Sequence, residues 1–435
     1  SIYSMLPNRL LTSLSCPSSS TSLRTLFLSP SLRVRSRKNA EGSAEEMRRP
    51  GQPVQWLEDA TTYADAHSVV LDPTTKLPYN EKDLRGMMER TAKDALKDSR
   101  KIKYGKKAAV SKLDFDHIPI ENQVVLLFPG QGAQFVGMGK KLQESKRAMA
   151  LFEKASEILK YDLLKLCLDG PKTKLDQTLF CQPAVVVTSL AAFEALQERE
   201  EEILENCTDA AGFSVGEFAA LVAGGVLQFE DAIRIVAERA AVMHECSQLI
   251  RSGMGTVKVV AASRLEDAIA EARKRALEAG EMDVCEIANH LYCGVKVIGA
   301  SELCMRFLEE NANTYKYTFV KRLAVSGAFH TRQMEGAVGR VMNVVKSAEI
   351  NPAVMNVYSN YTGHVYGAKK AEIRGAISKQ VTNPVKWEQI QQQLYRKHKD
   401  FVFPRFIECG PGRQLGSMLV ATSKKAYASY QNIEV

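Results

Sequence analysis

The clearest hydrophobic pattern in the chain is an unbroken apolar run, Val124 to Phe128, followed at once by the small and polar segment PGQGAQ at 129–134. A run without polar alternation is typical of a strand buried on both faces of a parallel sheet. The glycine-containing loop therefore lies at the carboxyl edge of a sheet, where α/β proteins bind ligands. A phosphate loop is one interpretation, but the Walker lysine and a G-x-G-x-x-G pattern are missing.

A helical period marks residues Phe229 to Cys246. The apolar positions recur every three or four residues and predict one buried stripe: Ala232, Ile233, Val236, Ala240 and Met243. Arg239 lies on or beside this stripe, and a guanidinium on a buried side needs an anion. Two interpretations remain open, a structural ion pair with a nearby carboxylate and a bidentate clamp on a substrate carboxylate.

The pattern changes between Ser247 and about Arg322, where short strands alternate with helices. The predicted elements are a strand at 255–260, a helix at 265–279, a second strand, a turn at 293–294, a strand at 295–298 and a helix at 302–312. This order predicts a small α+β insert of ferredoxin-like type. A cleft between such an insert and the larger α/β domain is a usual place for a ligand.

The strongest candidate chemistry is Gly212-Phe213-Ser214-Val215-Gly216, which matches the G-x-S-x-G nucleophile elbow. Glycines at both ends let the strand and the following helix pack closely around the serine. The Ser214 hydroxyl then faces open space, and N–H groups at the helix start can hold an oxyanion. Beside such a serine, the loop at 129–134 fits an oxyanion hole better than a phosphate site.

His330 is the best candidate for the base among seven histidines. It follows a predicted strand at 317–325, a small-residue turn at 326–328 and Phe329, and a helical pattern begins directly after it. A histidine at such a junction is well placed to take the proton of a serine nucleophile. We interpret His244 as a partner on the Arg239 helix.

Taken together, these motifs resemble the malonyl-CoA:acyl-carrier-protein transacylase family, close to its mitochondrial form, over about residues 122 to 425. The shared landmarks come in family order: FPGQGAQ at 128–134, QPAV at 182–185, GFSVGEFAALVAGG at 212–225, Arg239, AFH at 328–330, NPVKW at 383–387 and ECGPGRQLGSML at 408–419. The sequence differs from many bacterial members in one respect, because Phe213 stands where they have a histidine.

The resemblance implies a role for each matching residue. Ser214 is the nucleophile, His330 the general base and Arg239 the group that binds the malonyl carboxylate. The backbone N–H groups of Gln131 and Val215 form the oxyanion hole. The remaining matches are the main-chain carbonyl of Gln380, which orients the imidazole, Asn289 as a site-lining residue, and Phe329 in a pattern associated with malonyl rather than methylmalonyl selection.

The family's fold and activity follow as expectations. The fold class is α/β, with an α/β-hydrolase-like large domain that holds a parallel sheet and an inserted ferredoxin-like α+β subdomain. We assign the large domain to residues 121–248 and 323–425, and the subdomain to 249–322. The implied reaction is ping-pong transfer of malonyl from malonyl-CoA to the phosphopantetheine thiol of acyl carrier protein, through a malonyl-serine ester, for mitochondrial fatty acid synthesis. No bound cofactor and no metal are expected.

The first residues have a separate composition. Arginine and serine are frequent there, and no acidic residue precedes Glu41, which is typical of a mitochondrial transit peptide. We assign residues 1–45 to that peptide, with cleavage near residue 40, and expect a location in the mitochondrial matrix. Residues 46–120 form an extension without an assigned role; its basic run at 97–107 is interpreted as a solvated linker or, alternatively, a carrier-protein docking surface.

Overall composition adds little to this picture. The net charge of +8 is modest, and basic residues could attract CoA phosphates and an acidic carrier protein. No uninterrupted apolar run approaches about 18 residues, so no membrane span is expected. No nucleic-acid module is evident, and we expect a monomer. The nine cysteines include no C-x-x-C pair and are interpreted as reduced thiols.

Three other functions remain open at this level. A serine hydrolase such as a thioesterase or lipase would share the elbow, but it has no reason for an anion-clamping Arg239. A non-catalytic scaffold would have no reason to keep Ser214, His330, Arg239 and Gln131 together. A transacylase for another acyl-CoA would keep the same set, and the sequence does not separate the two.

Overall fold

Two sheets of different kinds organise residues 112–435, the part of the chain that the computed structural model describes. The predicted transit peptide, its cleavage site and the basic run at 97–107 lie outside the described residues. The described strands are β1 (Val124–Phe128), β2 (Cys207–Gly212), β3 (Ser252–Lys258), β4 (Cys285–Tyr292), β5 (Val295–Ser301), β6 (Thr318–Arg322), β7 (Asn356–Val357), β8 (Arg405–Cys409) and β9 (Tyr430–Ile433).

Helices fill most of the chain between these strands. In chain order they are α1 (Lys146–Leu159), α2 (Leu163–Asp169), α3 (Lys172–Leu175), α4 (Thr178–Arg199), α5 (Ile203–Asn206), α6 (Gly216–Ala223), α7 (Phe229–Gln248), α8 (Leu265–Glu278), α9 (Glu302–Glu310), α10 (Glu335–Ser347), α11 (Lys370–Lys379), α12 (Trp387–Tyr395), α13 (Gln414–Thr422) and α14 (Lys424–Tyr427). Short 3-10 turns occupy Lys140–Leu142, Arg332–Met334 and Gln380–Thr382.

The larger sheet is parallel throughout, in the order β7-β2-β1-β8-β9. Alternate residues of β1 face two different hydrophobic clusters: Leu126 packs with α1, α4 and α7, whereas Val125 packs with α12 and α13. Both faces of the sheet are therefore covered, which explains why β1 is apolar at every position. The predicted bounds of β1 are confirmed. The parallel sheet also contains β9, which lies beyond residue 425, the predicted end of the large domain.

The helix α4 is almost wholly buried behind this sheet. It is the one helix of residues 112–435 that is long and apolar enough to cross a membrane by length and composition, and its apolar window lies entirely inside the protein. The search for an uninterrupted apolar run therefore did not identify α4. Polar residues such as Gln182 interrupt the helix, but its mean hydropathy stays as high as that of a membrane-spanning helix. Buried core helices commonly have this composition.

The smaller sheet is antiparallel, in the order β4-β5-β3-β6. The chain order β3-α8-β4-β5-α9-β6 with this strand order is the ferredoxin-like arrangement, so the predicted insert is confirmed as a small α+β subdomain. Its two helices share one hydrophobic cluster with the sheet. The predicted boundaries at 249 and 322 stay a prediction.

One predicted element differs in detail. The predicted strand at 317–325 is shorter, Thr318–Arg322, and it is the edge strand β6 of the smaller sheet. His330 therefore does not follow a strand of the parallel sheet. It lies eight residues beyond β6, on a segment that leads to the 3-10 turn at Arg332–Met334 and then α10. In α7, the predicted stripe is confirmed, and Arg239 is fully buried beside it.

Candidate active site

The site begins at the turn between β2 and α6. Ser214 has a positive φ of 53°, a backbone conformation that residues with a side chain rarely adopt. A Cβ on Gly212 would lie 1.9 Å from the Gly216 carbonyl oxygen, and a Cβ on Gly216 would lie 2.3 Å from that of Phe128. Both glycines are therefore required for the strand, the helix and the end of β1 to approach one another around the serine.

The loop after β1 lies directly against this turn. A Cβ on Gly130 would lie 2.5 Å from the Phe213 carbonyl oxygen, so the loop backbone touches the residue before the serine. The backbone N–H groups of Gln131 and Val215 donate to no hydrogen-bond acceptor within residues 112–435. Val215 is the N-cap residue of α6, where the helix dipole favours negative charge.

Ser214 and His330 form a direct hydrogen bond, with 2.7 Å between Oγ and Nε2. On its other side, Nδ1 of His330 lies 2.9 Å from the main-chain oxygen of Gln380. A carbonyl oxygen only accepts, so the proton is on Nδ1 and the lone pair of Nε2 faces the serine hydroxyl. His330 also has a positive φ of 59°, which marks a second strained backbone position at the site.

Arg239 reaches the same hydroxyl from α7. Its Nη2 lies 3.2 Å from the Ser214 Oγ and donates to the side-chain oxygen of Gln380 at 2.8 Å. Its Nη1 donates to the side-chain oxygen of Gln182 at 2.6 Å, while its buried Nε has no acceptor among the described residues. None of these hydrogen-bond partners is a carboxylate, so the structural ion-pair interpretation lacks a direct contact.

The side chain of Gln380 connects the other groups, which the sequence did not indicate. Its Nε2 donates to the main-chain oxygen of Ser214 at 2.8 Å and to the Glu217 carboxylate at 2.6 Å. Together with its main-chain carbonyl on His330 and its Oε1 on Arg239, this one residue touches the serine, the histidine and the arginine.

Two further buried residues were missed by sequence reasoning. Asn360 holds the elbow: its Oδ1 accepts from the Ser214 N–H at 2.7 Å, and its Nδ2 donates to the Gly212 oxygen at 2.7 Å. Glu217 accepts hydrogen bonds from the Tyr366 hydroxyl, Gln380 and the Asn360 N–H. Glu217 had a signal, as a carboxylate on an otherwise apolar helix directly after the elbow; Asn360 follows β7, which is too short to be recognised from its pattern.

Asn289 and Phe329 lie less centrally. Asn289 is buried on β4 and forms an isolated parallel β-bridge with Val385. Its side-chain Oδ1 has no hydrogen-bond partner within residues 112–435. Phe329 is buried in the large hydrophobic cluster. The Phe213 ring packs edge-on against Trp387, with 5.6 Å between ring centroids. An apolar residue before the serine is therefore accommodated by an aromatic neighbour.

Burial dominates the electrostatics of the site. Burial, together with the nearby charge of Arg239, lowers the pKa of His330 to about 3, against the opposing backbone hydrogen bonds of Gln380 and Asn383. Burial also lowers the pKa of Arg239 to about 9, while Glu217 opposes this shift. His330 is therefore a neutral acceptor and Arg239 a cation near neutral pH. Among residues 112–435, no three His, Cys, Asp or Glu side chains are grouped to hold a metal ion.

This fold and this site together define an α/β acyltransferase. The acyl transferase domain family matches residues 125–434. The mitochondrial malonyl-CoA–acyl carrier protein transacylase of Homo sapiens is 42% identical over 312 residues, which cover 72% of this chain and 80% of that protein. The chain belongs to the acyl transferase family, and within it to the malonyl-CoA–acyl carrier protein transacylases.

Solved structures agree with this assignment. The malonyl CoA-acyl carrier protein transacylase of Coxiella burnetii has a TM-score of 0.64 at 28% identity, over 73% of this chain and 95% of that chain. A malonyl-transacylase in complex with a holo type II polyketide acyl-carrier protein has a TM-score of 0.62 at 26% identity, over 72% of this chain and 96% of that chain.

Proposed function

We propose that this protein transfers a malonyl group from malonyl-CoA to the phosphopantetheine thiol of acyl carrier protein, through a malonyl ester on Ser214. One observation carries the proposal: the Ser214 hydroxyl lies 2.7 Å from the His330 imidazole and 3.2 Å from a fully buried arginine. A hydrolase acting on neutral esters needs the first contact but not the second. The names of the human and bacterial relatives support the same substrates.

In the first half-reaction, the Nε2 of His330 takes the Ser214 proton as Oγ attacks the malonyl thioester carbonyl. The tetrahedral oxyanion is held by the N–H groups of Gln131 and Val215, which are otherwise free of partners in the described region. Collapse of the intermediate breaks the C–S bond, and the imidazolium returns its proton to the CoA sulfur. The products are CoA and the malonyl-serine ester.

The second half-reaction repeats these steps with a different nucleophile. The thiol of the carrier's phosphopantetheine gives its proton to His330 as the sulfur attacks the malonyl-serine carbonyl. The C–O bond to Ser214 then breaks, and the serine recovers a proton from the imidazolium. Ser214 and His330 are both buried, which limits access of water to the ester between the two steps.

Arg239 selects an acyl group that carries a carboxylate. Its buried Nε lacks an acceptor among residues 112–435, and an orphaned buried donor costs about 1–3 kcal/mol. The malonyl carboxylate supplies the missing acceptor and the counter-charge. Because the charge of Arg239 lowers the pKa of His330, pairing with a carboxylate also makes His330 a stronger base. Acetyl-CoA brings neither effect.

The remaining assignments are part of the same proposal. Asn289 lines the site from β4, and Phe329 shapes the pocket beside His330. The large domain comprises residues 121–248 and 323–425, and the subdomain 249–322. Similarity to mitochondrial relatives and the composition of the first residues support a mitochondrial location, which we assign to the matrix. We further propose that the protein acts as a monomer and without a bound cofactor.

Intact-protein mass spectrometry tests the proposed function. Purified protein mixed with malonyl-CoA should gain one malonyl group on Ser214 and lose it to added holo carrier protein; acetyl-CoA should give little adduct. Ser214→Ala should give no adduct, while Ser156→Ala, which removes a remote hydroxyl that bonds to the Phe152 carbonyl, should behave as wild type. Release of free malonate without transfer would indicate a hydrolase, and no adduct with either thioester would indicate a scaffold.

A further inference from the structure

A buried carboxylate next to the site has no part in the chemistry described above. Glu217 lies in the first turn of α6, three residues after Ser214, and is 1% exposed. Its oxygens accept from the Tyr366 hydroxyl, from the Gln380 Nε2 at 2.6 Å and from the Asn360 N–H at 3.2 Å. An ionised carboxylate suits this setting, because all three neighbours point donors at it.

The bond to Gln380 fixes how that amide faces Arg239. The Gln380 Nε2 meets two acceptors, the Glu217 carboxylate and the Ser214 carbonyl, while Oε1 accepts from Arg239 at 2.8 Å. Turning the amide over would set its oxygen against both acceptors and its NH2 against a cation. The carboxylate and the Ser214 carbonyl together therefore hold the amide in the one orientation that accepts from Arg239.

The bond to Asn360 fixes the other side of the elbow. The Asn360 N–H donates to Glu217, and its side chain binds the Ser214 N–H and the Gly212 oxygen. One carboxylate therefore supports both the arginine and the turn that carries the serine. Glu217 acts on Arg239 through the Gln380 amide and through its charge, and on the turn through Asn360. A comparison of malonyl with acetyl transfer separates the two effects, because only the malonyl group carries a carboxylate for Arg239.

We propose that Glu217 is a positioning residue that holds Arg239, through Gln380, in the pose that selects a carboxylated acyl group. This inference rests on the proposed function, in which Arg239 binds the malonyl carboxylate. Charge-assisted hydrogen bonds are roughly twice as strong as neutral ones. Losing the charge of Glu217 therefore weakens the selection of malonyl and not the Ser214–His330 pair itself, whose 2.7 Å bond involves neither Glu217 nor Gln380 side-chain atoms.

The protonation of Glu217 should make the selection of malonyl over acetyl depend on pH. The ionisable groups that bear on it are the Tyr366 hydroxyl, which donates to it, and the Arg239 guanidinium from α7, with His330 also in the site. Burial raises the pKa of Glu217 to about 7, against the hydrogen bonds from Tyr366, Gln380 and Asn360 and the charge of Arg239. Selection of malonyl over acetyl should therefore weaken as the pH falls through about 7.

The test compares Glu217→Gln with Glu408→Gln as a matched control. Glu408 is also a fully buried carboxylate that accepts from a tyrosine hydroxyl, that of Tyr430. Its other donors are two backbone N–H groups in the first turn of α13, so it stabilises that helix and contacts neither Gln380 nor Asn360. For each protein, the rates of Ser214 acylation by malonyl-CoA and acetyl-CoA are measured from about pH 5.5 to 8.5, normalised to the fraction of enzyme that can be acylated.

Glu217→Gln should lower kcat/KM for malonyl-CoA about tenfold more than for acetyl-CoA, since any effect on the serine turn is common to both thioesters. The ratio of the two rates should fall as the pH drops below about 7 in the wild type and in Glu408→Gln, and should show no such fall in Glu217→Gln. In a Gln380→Met background, Glu217→Gln should lower the ratio less than it does in the wild type, since the connecting amide is gone and only the direct effect of the Glu217 charge on Arg239 is left.

Equal losses for both thioesters in Glu217→Gln, or a pH-independent ratio in the wild type, would overturn the inference. The wild-type pH series needs no variant, so it decides the matter even where Glu217→Gln does not fold. Failure of the proposed function has a different signature, namely no malonyl adduct on the wild type. A ratio that depends on Arg239 but not on Glu217 would leave the proposed function standing and reject only the role of Glu217.

Discussion

Replacing Arg239 by methionine removes the charge of the proposed carboxylate clamp and keeps most of its volume. A bidentate carboxylate makes two charge-assisted hydrogen bonds, each worth about 1.5 kcal/mol at the lower end of the range. Their loss, about 3 kcal/mol, corresponds to about a 150-fold lower kcat/KM for malonyl-CoA. Acetyl-CoA makes neither bond. Because the charge of Arg239 also lowers the pKa of His330, acetyl transfer should be unchanged or faster.

The assay is single-turnover acylation of Ser214 by each thioester. The substitution also leaves the side-chain oxygens of Gln182 and Gln380 without their donor, which should cost about 1–3 kcal/mol each in stability. Rates must therefore be divided by the acylatable fraction. Arg340→Met is the control, since Arg340 is a partly buried arginine that bridges Glu238 and Glu245 away from the serine. It should lose stability but keep the malonyl-to-acetyl ratio.

A fall of equal size for malonyl-CoA and acetyl-CoA would refute the reasoning. Arg239 would then be structural, stabilising the site through Gln182 and Gln380 without binding the substrate carboxylate. An unchanged rate for malonyl-CoA would refute it in another way, because the carboxylate would have to bind elsewhere.

Two further predictions concern the base and the elbow. His330→Ala should slow both half-reactions, measured as Ser214 acylation and as transfer to carrier protein, and wild-type rates would exclude His330 as the base. His330 is buried with its pKa lowered from 6.5 to about 3, so the unfolded chain binds a proton that the folded chain does not. Denaturant titrations should thus show that the wild type loses about 2 kcal/mol more stability than His330→Gln between about pH 7 and about pH 5. Gly216→Ala should destabilise the protein by about 2 kcal/mol or more, because its Cβ would lie 2.3 and 2.4 Å from the Phe128 and Pro129 oxygens; an unchanged midpoint in the same titration would show that the β1 end can move.

Much of the fold could be predicted because its signals are local. The apolar run of β1, the stripe of α7 and the α+β order of the smaller sheet each depend on side chains within one element. The bounds of β1 were correct, and α7 begins at the predicted residue and ends at Gln248, just beyond the predicted Cys246. The strand at 317–325 was predicted too long, because the apolar residues Leu323 to Val325 lie beyond the end of β6. Leu323 still donates one backbone hydrogen bond to Met254 of β3, but the N–H of Val325 turns back to the Leu323 oxygen. Apolar composition does not distinguish a strand end from a linker that is packed against a core.

The candidate site divides in the same way. Ser214, His330 and Arg239 were found as residue types in characteristic local settings, and the family resemblance implied the Gln380 carbonyl. Glu217 had only a weak signal, and the amide of Gln380 and Asn360 had none, because their partners are 141 to 166 residues away in the chain. A hydrogen bond between such distant side chains leaves no periodic pattern in a single sequence.

The sequence by itself determined that this protein has a serine elbow, a parallel sheet with an α+β insert, and an arginine on a buried helix face. These properties depend on steric and hydrophobic preferences of neighbouring residues. Only the tertiary structure decided that His330 and Arg239 lie 2.7 and 3.2 Å from the Ser214 hydroxyl, and that Gln380 and Glu217 hold this arrangement. The physical reason is that direction and distance between side chains are set by how β2, α7 and the segments after β6 and α11 pack together. Burial at that meeting point, and not residue type, then sets the protonation of each group.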